Sequence, residues 1–275
     1  MKETERPIDL KTLTRDLRVD IIRMIEEAGS GHPGGSLSII DILATLYSRH
    51  LRHRPQEPAW PDRDRVVLSK GHCCPALYAV LARAGYFPRE RLATLRKLGS
   101  PLQGHPDRLS LPGLEASTGS LGQGLSIAVG MALAGRLDRK DYRVWCILGD
   151  GELQEGQVWE AAMSAPKFAL GNLTAIVDQN GLQIDGPVKE IMDVDPLVDK
   201  FAAFRWETLS IDGHDLGQIT EALEAAGRER SAPLAIVAKT VKGKGVSFME
   251  NAVGWHGKAP GKEEADRAVS EILAA

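Results

Sequence analysis

The apolar positions of the chain follow two different periods. Leu10, Leu13, Leu17, Ile21, Met24, Ile25 and Ala28 recur at spacings of three and four, which puts them on one face of a helix ended by Gly29. The loop SGHPGGSL follows, and Ser38 has the chemistry of an N-cap for a helix over IIDILATLYSRH. Residues 53–64 carry no period and read as surface loop. Beyond them the pattern changes. Short apolar runs at Val66–Leu68, Val144–Leu148, Thr174–Val177, Thr208–Ile211 and Leu234–Ala238 alternate with helical patterns near 75–84, 122–136, 157–169 and 215–228. A strand that is apolar at nearly every residue is covered on both faces, and parallel strands need crossovers of about a dozen residues or more, which these spacings supply. The pattern predicts an α/β fold: a mostly parallel sheet with helices on both faces. It forms one domain over residues 1–275, in which 255–275 is a peripheral tail.

Composition narrows the classes of function. A chain of 275 residues, 43% of them hydrophobic, can fill one large domain. A net charge of −3 lacks the basic excess of a nucleic-acid binder. No apolar run reaches the roughly 18 residues of a membrane span, and the charged opening MKETERPIDLKTL has no apolar core to act as a signal peptide. Cys73, Cys74 and Cys146 cannot build a disulfide framework, and their spacing suits no zinc site. The expectation is a cytoplasmic protein with neither nucleic acid nor membrane as partner. Its 28 glycines exceed the usual share of about 7% and mark where backbone turns tightly or meets a ligand.

Those glycines stand after the predicted strands: Gly149 and Gly151, Gly181, Gly213, then Gly243 and Gly245. Ligands of open α/β sheets sit at that edge. Within GDGELQEG and DQNGLQIDG, Asp150 and Asn180 end successive strands thirty residues apart, so one crossover brings a carboxylate and an amide oxygen together. Such a pair suits Mg²⁺ shared with a phosphate ligand, because Mg²⁺ takes six oxygens and accepts some from the ligand. STGSLGQG, 117–124, precedes a helix and could present N–H groups to an anion, although it matches neither the dinucleotide fingerprint nor a Walker loop. Four of the seven histidines, His32, His72, His105 and His256, lie in loops of small residues, where neutral imidazoles can hold hydroxyls or move protons. Glu155 and Glu160 fit either first-turn helix acids or a proton relay. Lys242 and Lys244, in KGKG, offer a phosphate contact but read first as a solvated loop, and His50, His53 and His214 as surface or structural residues.

Taken in order, SGHPGGSLS, DRVVLSKGH, QGHPD, STGSLGQGLSIAVGMA, GDGELQEGQVWEAA, DQNGLQIDG, IDGHD and WHGKAP resemble the N-terminal half of transketolase, nearly end to end. The resemblance implies a thiamine diphosphate cofactor with Mg²⁺, which Ca²⁺ or Mn²⁺ could replace. It implies Asp150, Asn180 and the Leu182 carbonyl as metal ligands. His72, Gly119, Ser120, Leu121, Gly151, Glu152 and His256 would lie along the diphosphate side, and Ile184 against the thiazolium ring. His32, His105 and His256 would face the sugar, and Glu155 and Glu160 would match family acids at a subunit interface. The family's cofactor motif ends in two asparagines, where this chain has Gln179-Asn180. The resemblance also implies a second, pyrimidine-binding domain absent after WHGKAP. The expected assembly is therefore a split enzyme: this chain, a separate C-terminal subunit, and a second copy of each. Its reaction would transfer a two-carbon ketol unit between sugar phosphates. The alternatives are a subunit related to deoxyxylulose-phosphate synthase or to a 2-oxo-acid dehydrogenase α-chain, or a non-catalytic cofactor-binding paralogue.

Overall fold

The computed structural model describes residues 9–275. Its central element is a five-stranded, all-parallel sheet in the order β1-β2-β3-β7-β6, built from β1 (Arg65–Leu68), β2 (Val144–Gly149), β3 (Leu173–Gln179), β6 (Glu207–Asp212) and β7 (Leu234–Lys239). β4 (Leu182–Gln183) and β5 (Gly186–Pro187) form a small antiparallel hairpin outside it. All five predicted strands are present, each within a residue or two of its apolar run.

Alternation along the strands divides the core. Val66, Leu68, Trp145, Ile147, Ile176 and Ile236 point to one face and pack with α1 (Leu10–Ala28), α2 (Pro33–Thr45), α3 (Cys74–Ala84), α8 (Leu216–Ala226) and α9 (Lys262–Ala274). Val67, Val144, Cys146, Leu148, Val177 and Val237 point to the other face, against α4 (Gln123–Leu137), α5 (Gly156–Lys167) and α7 (Leu197–Ala203). A short α6 (Val188–Met192) follows the hairpin. From β1 through β3 to β6 the chain steps across the sheet with α4, α5 and α7 on the second face, α3 lying on the first. It then steps back from β6 to β7 with α8 on the first, as right-handed crossovers require.

One helix start differs from expectation. α2 begins at Pro33 and not after Ser38. Proline at the first helical position has its φ preset and lacks only an N–H that would have had no partner there, so it starts the helix six residues early. Ser38 lies buried inside α2 and donates to the Gly35 carbonyl and, at 2.5 Å, to Asp178. The glycines beside Pro33 let α2 approach its neighbours. A Cβ on Gly35 would stand 2.6 Å from Cys73 Sγ, and one on Gly34 would stand 2.9 Å from Lys242 Cγ. At the C-terminal end, Trp255 and His256 belong to the loops at the carboxyl edge of the sheet. α9 buries Ala265, Ala268 and Ile272 against α1.

Candidate active site

Loops at the carboxyl ends of β1, β2, β3 and β7 surround a cleft of about 310 Å³. Its floor is set by register. Gly149 pairs with Asp178 across β2 and β3, so Asp150 and the DQNG turn meet as the spacing predicts. Asp150 accepts from Gly151 N at 2.9 Å and from Gly181 N at 2.6 Å. Burial pushes its carboxyl up to about 6 against the pull of these N–H groups, and no cation is paired with it among the described residues. Asn180 is held by both ends of its amide. Its Nδ2 donates to Asp178 at 3.3 Å and its Oδ1 accepts from Leu182 N at 3.1 Å, which fixes the orientation of the amide.

The four loop histidines converge. Ring centroids of His32 lie 5.3 Å from His72, 6.2 Å from His105 and 5.5 Å from His256, and His72 stacks on His256 at 5.2 Å. Burial, reinforced by the surrounding positive charge, pushes His32 down to about 4 and His256 down to about 3, and lowers His72 and His105 as well. At neutral pH all four are uncharged donors and acceptors. His32 Nδ1 is buried without a hydrogen-bond partner among the described residues.

Other expected residues divide by position. Gly119, Leu121, Gly151 and Ile184 line the cleft, and Ile184 stands 68% exposed at the tip of the β4–β5 hairpin. Ser120 is exposed on the same loop but does not line the cleft. Glu152 is turned into the structure. It accepts from Ser69 Oγ, from Gly122 N at 2.8 Å and from Gly149 N at 3.0 Å, so its carboxylate ties three loops together. With Gly124 N bonded to Ser69 Oγ at 3.1 Å, two of the N–H groups at the start of α4, those of Gly122 and Gly124, are engaged within the protein. Glu155 lies at the rim and Glu160 beyond it, both exposed.

The reading of Lys242 as a solvated loop residue is overturned: it is 2% exposed. Its Nζ donates to the Leu182 carbonyl at 2.9 Å and lies 2.7 Å from His256 Nδ1, and burial pushes it down to about 8. Sequence reasoning misses Lys70 and Asp178 altogether. They form an ion pair 1% and 0% exposed beneath the cleft, and Asp178 also receives Ser38, Thr240 and Asn180. The one available signal is a charged residue at the end of each of two apolar strands. His214 is structural, as expected: it bonds Asp41 at 2.8 Å, which Arg18 also holds, and accepts from Val241 N.

A divalent cation with a diphosphate fits this donor set. One desolvated carboxylate, one oriented amide oxygen and the Leu182 carbonyl, which also accepts from Lys242, are too few for a cation alone, and no group of three His, Cys, Asp or Glu is placed to hold a metal ion among the described residues. Oxygens from a phosphate ligand complete such a shell.

The comparisons with known proteins point the same way. The family described as "Transketolase, thiamine diphosphate binding domain" matches residues 10–272. A 6-deoxy-6-sulfo-D-fructose transketolase subunit of Clostridium sp. (strain MSTE9) is 47% identical over 269 residues, covering 98% of each chain. An apulose-4-phosphate transketolase subunit of Phocaeicola vulgatus is 40% identical, over 93% of this chain and 90% of the relative. The transketolase of Campylobacter jejuni superposes with a TM-score of 0.91 at 37% identity, over 96% of this chain but only 42% of its own. This chain therefore spans about two-fifths of a single-chain transketolase and nearly all of the two subunit-type relatives. Sequence, fold and site agree: the chain belongs to the transketolase family, as its N-terminal, thiamine-diphosphate-binding half.

Proposed function

We propose that this chain is the cofactor-holding subunit of a two-chain transketolase, which moves a two-carbon ketol unit from a ketose phosphate to an aldose acceptor. The observation that carries the reading is the cluster of four uncharged imidazoles facing Asp150 and Asn180 across one cleft. A polyhydroxylated substrate is held by neutral groups that both donate and accept. Asp150, Asn180 and the Leu182 carbonyl would hold Mg²⁺, or Ca²⁺ or Mn²⁺ in its place, against the diphosphate. His72, Gly119, Gly151, Lys242 and His256 would lie along that group, and Ile184 against the ring. Thiamine diphosphate, when bound, supplies the nucleophilic carbon needed to break and re-form the carbon–carbon bond. The chain's part is to orient and to move protons. His32, His105 and His256 would bind sugar hydroxyls and exchange protons at those oxygens.

The names of the two relatives matched over most of their length support a separate partner chain, since both are called subunits. Exposed Ile184, Ile191 and Met192 beside the cleft, with Glu155 and Glu160 exposed on the same side, support burial of that rim in an assembly of two copies of each chain. Unpaired buried thiols support a cytoplasmic setting, and no helix among the described residues is long and apolar enough to cross a membrane. The test mixes the purified chain with a candidate partner and assays ketol transfer from a panel of ketose phosphates, 6-deoxy-6-sulfo-D-fructose and apulose 4-phosphate. Turnover should require both chains. Full turnover by this chain alone would overturn the two-chain reading.

A further inference from the structure

The opposite edge of the sheet holds a larger cavity, about 730 Å³, where the strands begin. Six cationic side chains line it: Arg52, Arg136, Arg139, Lys140, Arg143 and Arg230. Arg52 is paired bidentately with Asp141, and Lys140 reaches Asp62. The other four have no ion-pair partner among the described residues, in a chain whose net charge is −3. Arg136, Arg143 and Arg230 donate to backbone carbonyls, and the Arg139 side chain makes no hydrogen bond among the described residues. Arg143 and Arg230 also face each other closely enough that Arg230 sits in the positive field of Arg143. Two of the lining carboxylates are occupied: Asp64 accepts the backbone N–H groups of Arg52 and Arg143, and Asp141 holds the Arg52 guanidinium. Glu224 and Glu229 are the acids left over.

A second observation is independent of charge. Of the six buried side-chain polar atoms without a hydrogen-bond partner among the described residues, four belong to residues lining this cavity: Trp145 Nε1, His50 Nε2, Arg230 Nε and Arg52 Nε, the last 3.9 Å from the Asp64 carboxylate. Trp145 is 1% exposed, so its N–H has no access to bulk water. Three of the four can only donate. A cavity whose guanidiniums include four with no carboxylate partner, and whose buried donors lack hydrogen-bond acceptors, is complementary to a ligand that is anionic and rich in acceptor oxygens, and its volume lies in the range of small-molecule sites.

We propose that this cavity is a second ligand site, for a small phosphorylated anion, separate from the cofactor cleft at the other edge of the sheet. Phosphate, as an ester or as the free ion, offers the acceptor-only oxygens that these donors require.

The experiment is calorimetric titration of the purified chain with inorganic phosphate and, separately, with fructose 6-phosphate. We expect saturable binding, weakened at least tenfold in Arg136→Glu/Arg139→Glu and several-fold in Trp145→Phe, and unchanged in Lys242→Ala, which alters only the cofactor cleft. Binding of both probes identifies the phosphate group as the element recognised, and binding of the ester alone identifies a phosphorylated sugar. Absence of saturable binding at millimolar probe, survival of binding in the arginine double variant, or its loss in Lys242→Ala would each overturn the proposal. Thermal melting confirms folding. If the double variant does not fold, Arg139→Glu is read alone, because the Arg139 side chain is exposed and holds nothing else in place.

Discussion

The two edges of the sheet solve opposite electrostatic problems with opposite chemistry. Parallel strands with returning helices place helix N-termini at the carboxyl edge and helix C-termini at the other. On the floor of the cleft at the carboxyl edge the charged groups are buried: Asp150, Glu152, Asp178, Lys70 and Lys242 are each at most 3% exposed, the imidazoles among them are neutral, and exposed acids such as Glu155 lie only at the rim. At the amino edge, guanidiniums cover the carbonyls that end the helices. Arg143 donates to Ala226 and Gly227 at the end of α8, Arg230 to Ala225 and Ala226, and Arg136 to Phe168 at the end of α5. Cations there offset the negative helix ends and satisfy their orphan oxygens. Charge at the amino edge serves the fold first, whereas at the carboxyl edge it is desolvated and aimed into a cleft.

The sharpest way to break this contrast is Asp150→Ala. It removes the single carboxylate available to a metal in the cleft. Metal-dependent binding of thiamine diphosphate should be lost entirely, while the melting temperature at neutral pH does not fall, because a carboxyl pushed up to about 6 by burial costs the fold stability once it ionises. Calorimetry with the cofactor and Mg²⁺ on the assembled enzyme measures it, and unchanged affinity would remove the metal assignment. His32→Ala and His105→Ala rank next. Turnover should fall about 10²–10⁴-fold, the usual worth of a positioned acid–base group, while cofactor affinity moves only a few-fold. A variant that keeps full kcat returns its histidine to a structural role.

How much of this is legible in the sequence follows from the range of each interaction. The five strands and their flanking helices are written in local periodicity, and Asp150 and Asn180 in a spacing that one crossover converts to proximity. The convergence of four histidines is not local. His32, His72, His105 and His256 come from four separate loops, and only the family resemblance, not their spacing, places them together. Lys242 escapes a local reading because KGKG looks solvated until α2, made narrow by Gly34 and Gly35, packs over it. The start of α2 escapes it because Ser38 is a good capping residue that is instead committed to Asp178, across 140 residues of chain. Glu152 shows the same effect: an acid beside a GDG turn resembles a ligand until three backbone loops claim it.

The Lys70–Asp178 pair offers a test of intermediate size. Removing one partner of a buried ion pair leaves the other charge without compensation and costs about 3–5 kcal/mol. Lys70→Met should lower stability by that much in urea unfolding. Lys70→Met with Asp178→Leu should recover a good part of it, yet still weaken metal binding, since Asp178 also orients the Asn180 amide. If the double variant is no more stable than the single one, hydrogen bonding by Asp178 to Ser38 and Thr240 matters more than its charge.

The smallest effect concerns pH and falls mainly on the carboxyl edge, where four of the shifted imidazoles lie, although burial lowers His50 at the amino edge as well. The folded histidines of the cleft release their protons well below the ordinary value of 6.5, His32 at about 4 and His256 at about 3. Between about 4 and 6.5 the unfolded chain therefore holds more protons than the folded one, so stability rises with pH across that window and levels off above it. Asp150, shifted upward to about 6, works in the opposite sense between 3.8 and 6, and Glu152, also raised by burial, works with it, but they are two carboxyls against four imidazoles. The ligand-free chain should thus gain melting temperature from pH 4 to 6.5, and His32→Gln with His256→Gln should flatten that slope. Arg143→Lys at the other edge should lower the whole curve and leave its slope intact, because no guanidinium or ammonium titrates in this range. Equal slopes in wild type and in the histidine double variant would mean that the cleft imidazoles are solvated in the free chain, and that their neutrality arises only once the partner and cofactor close over them.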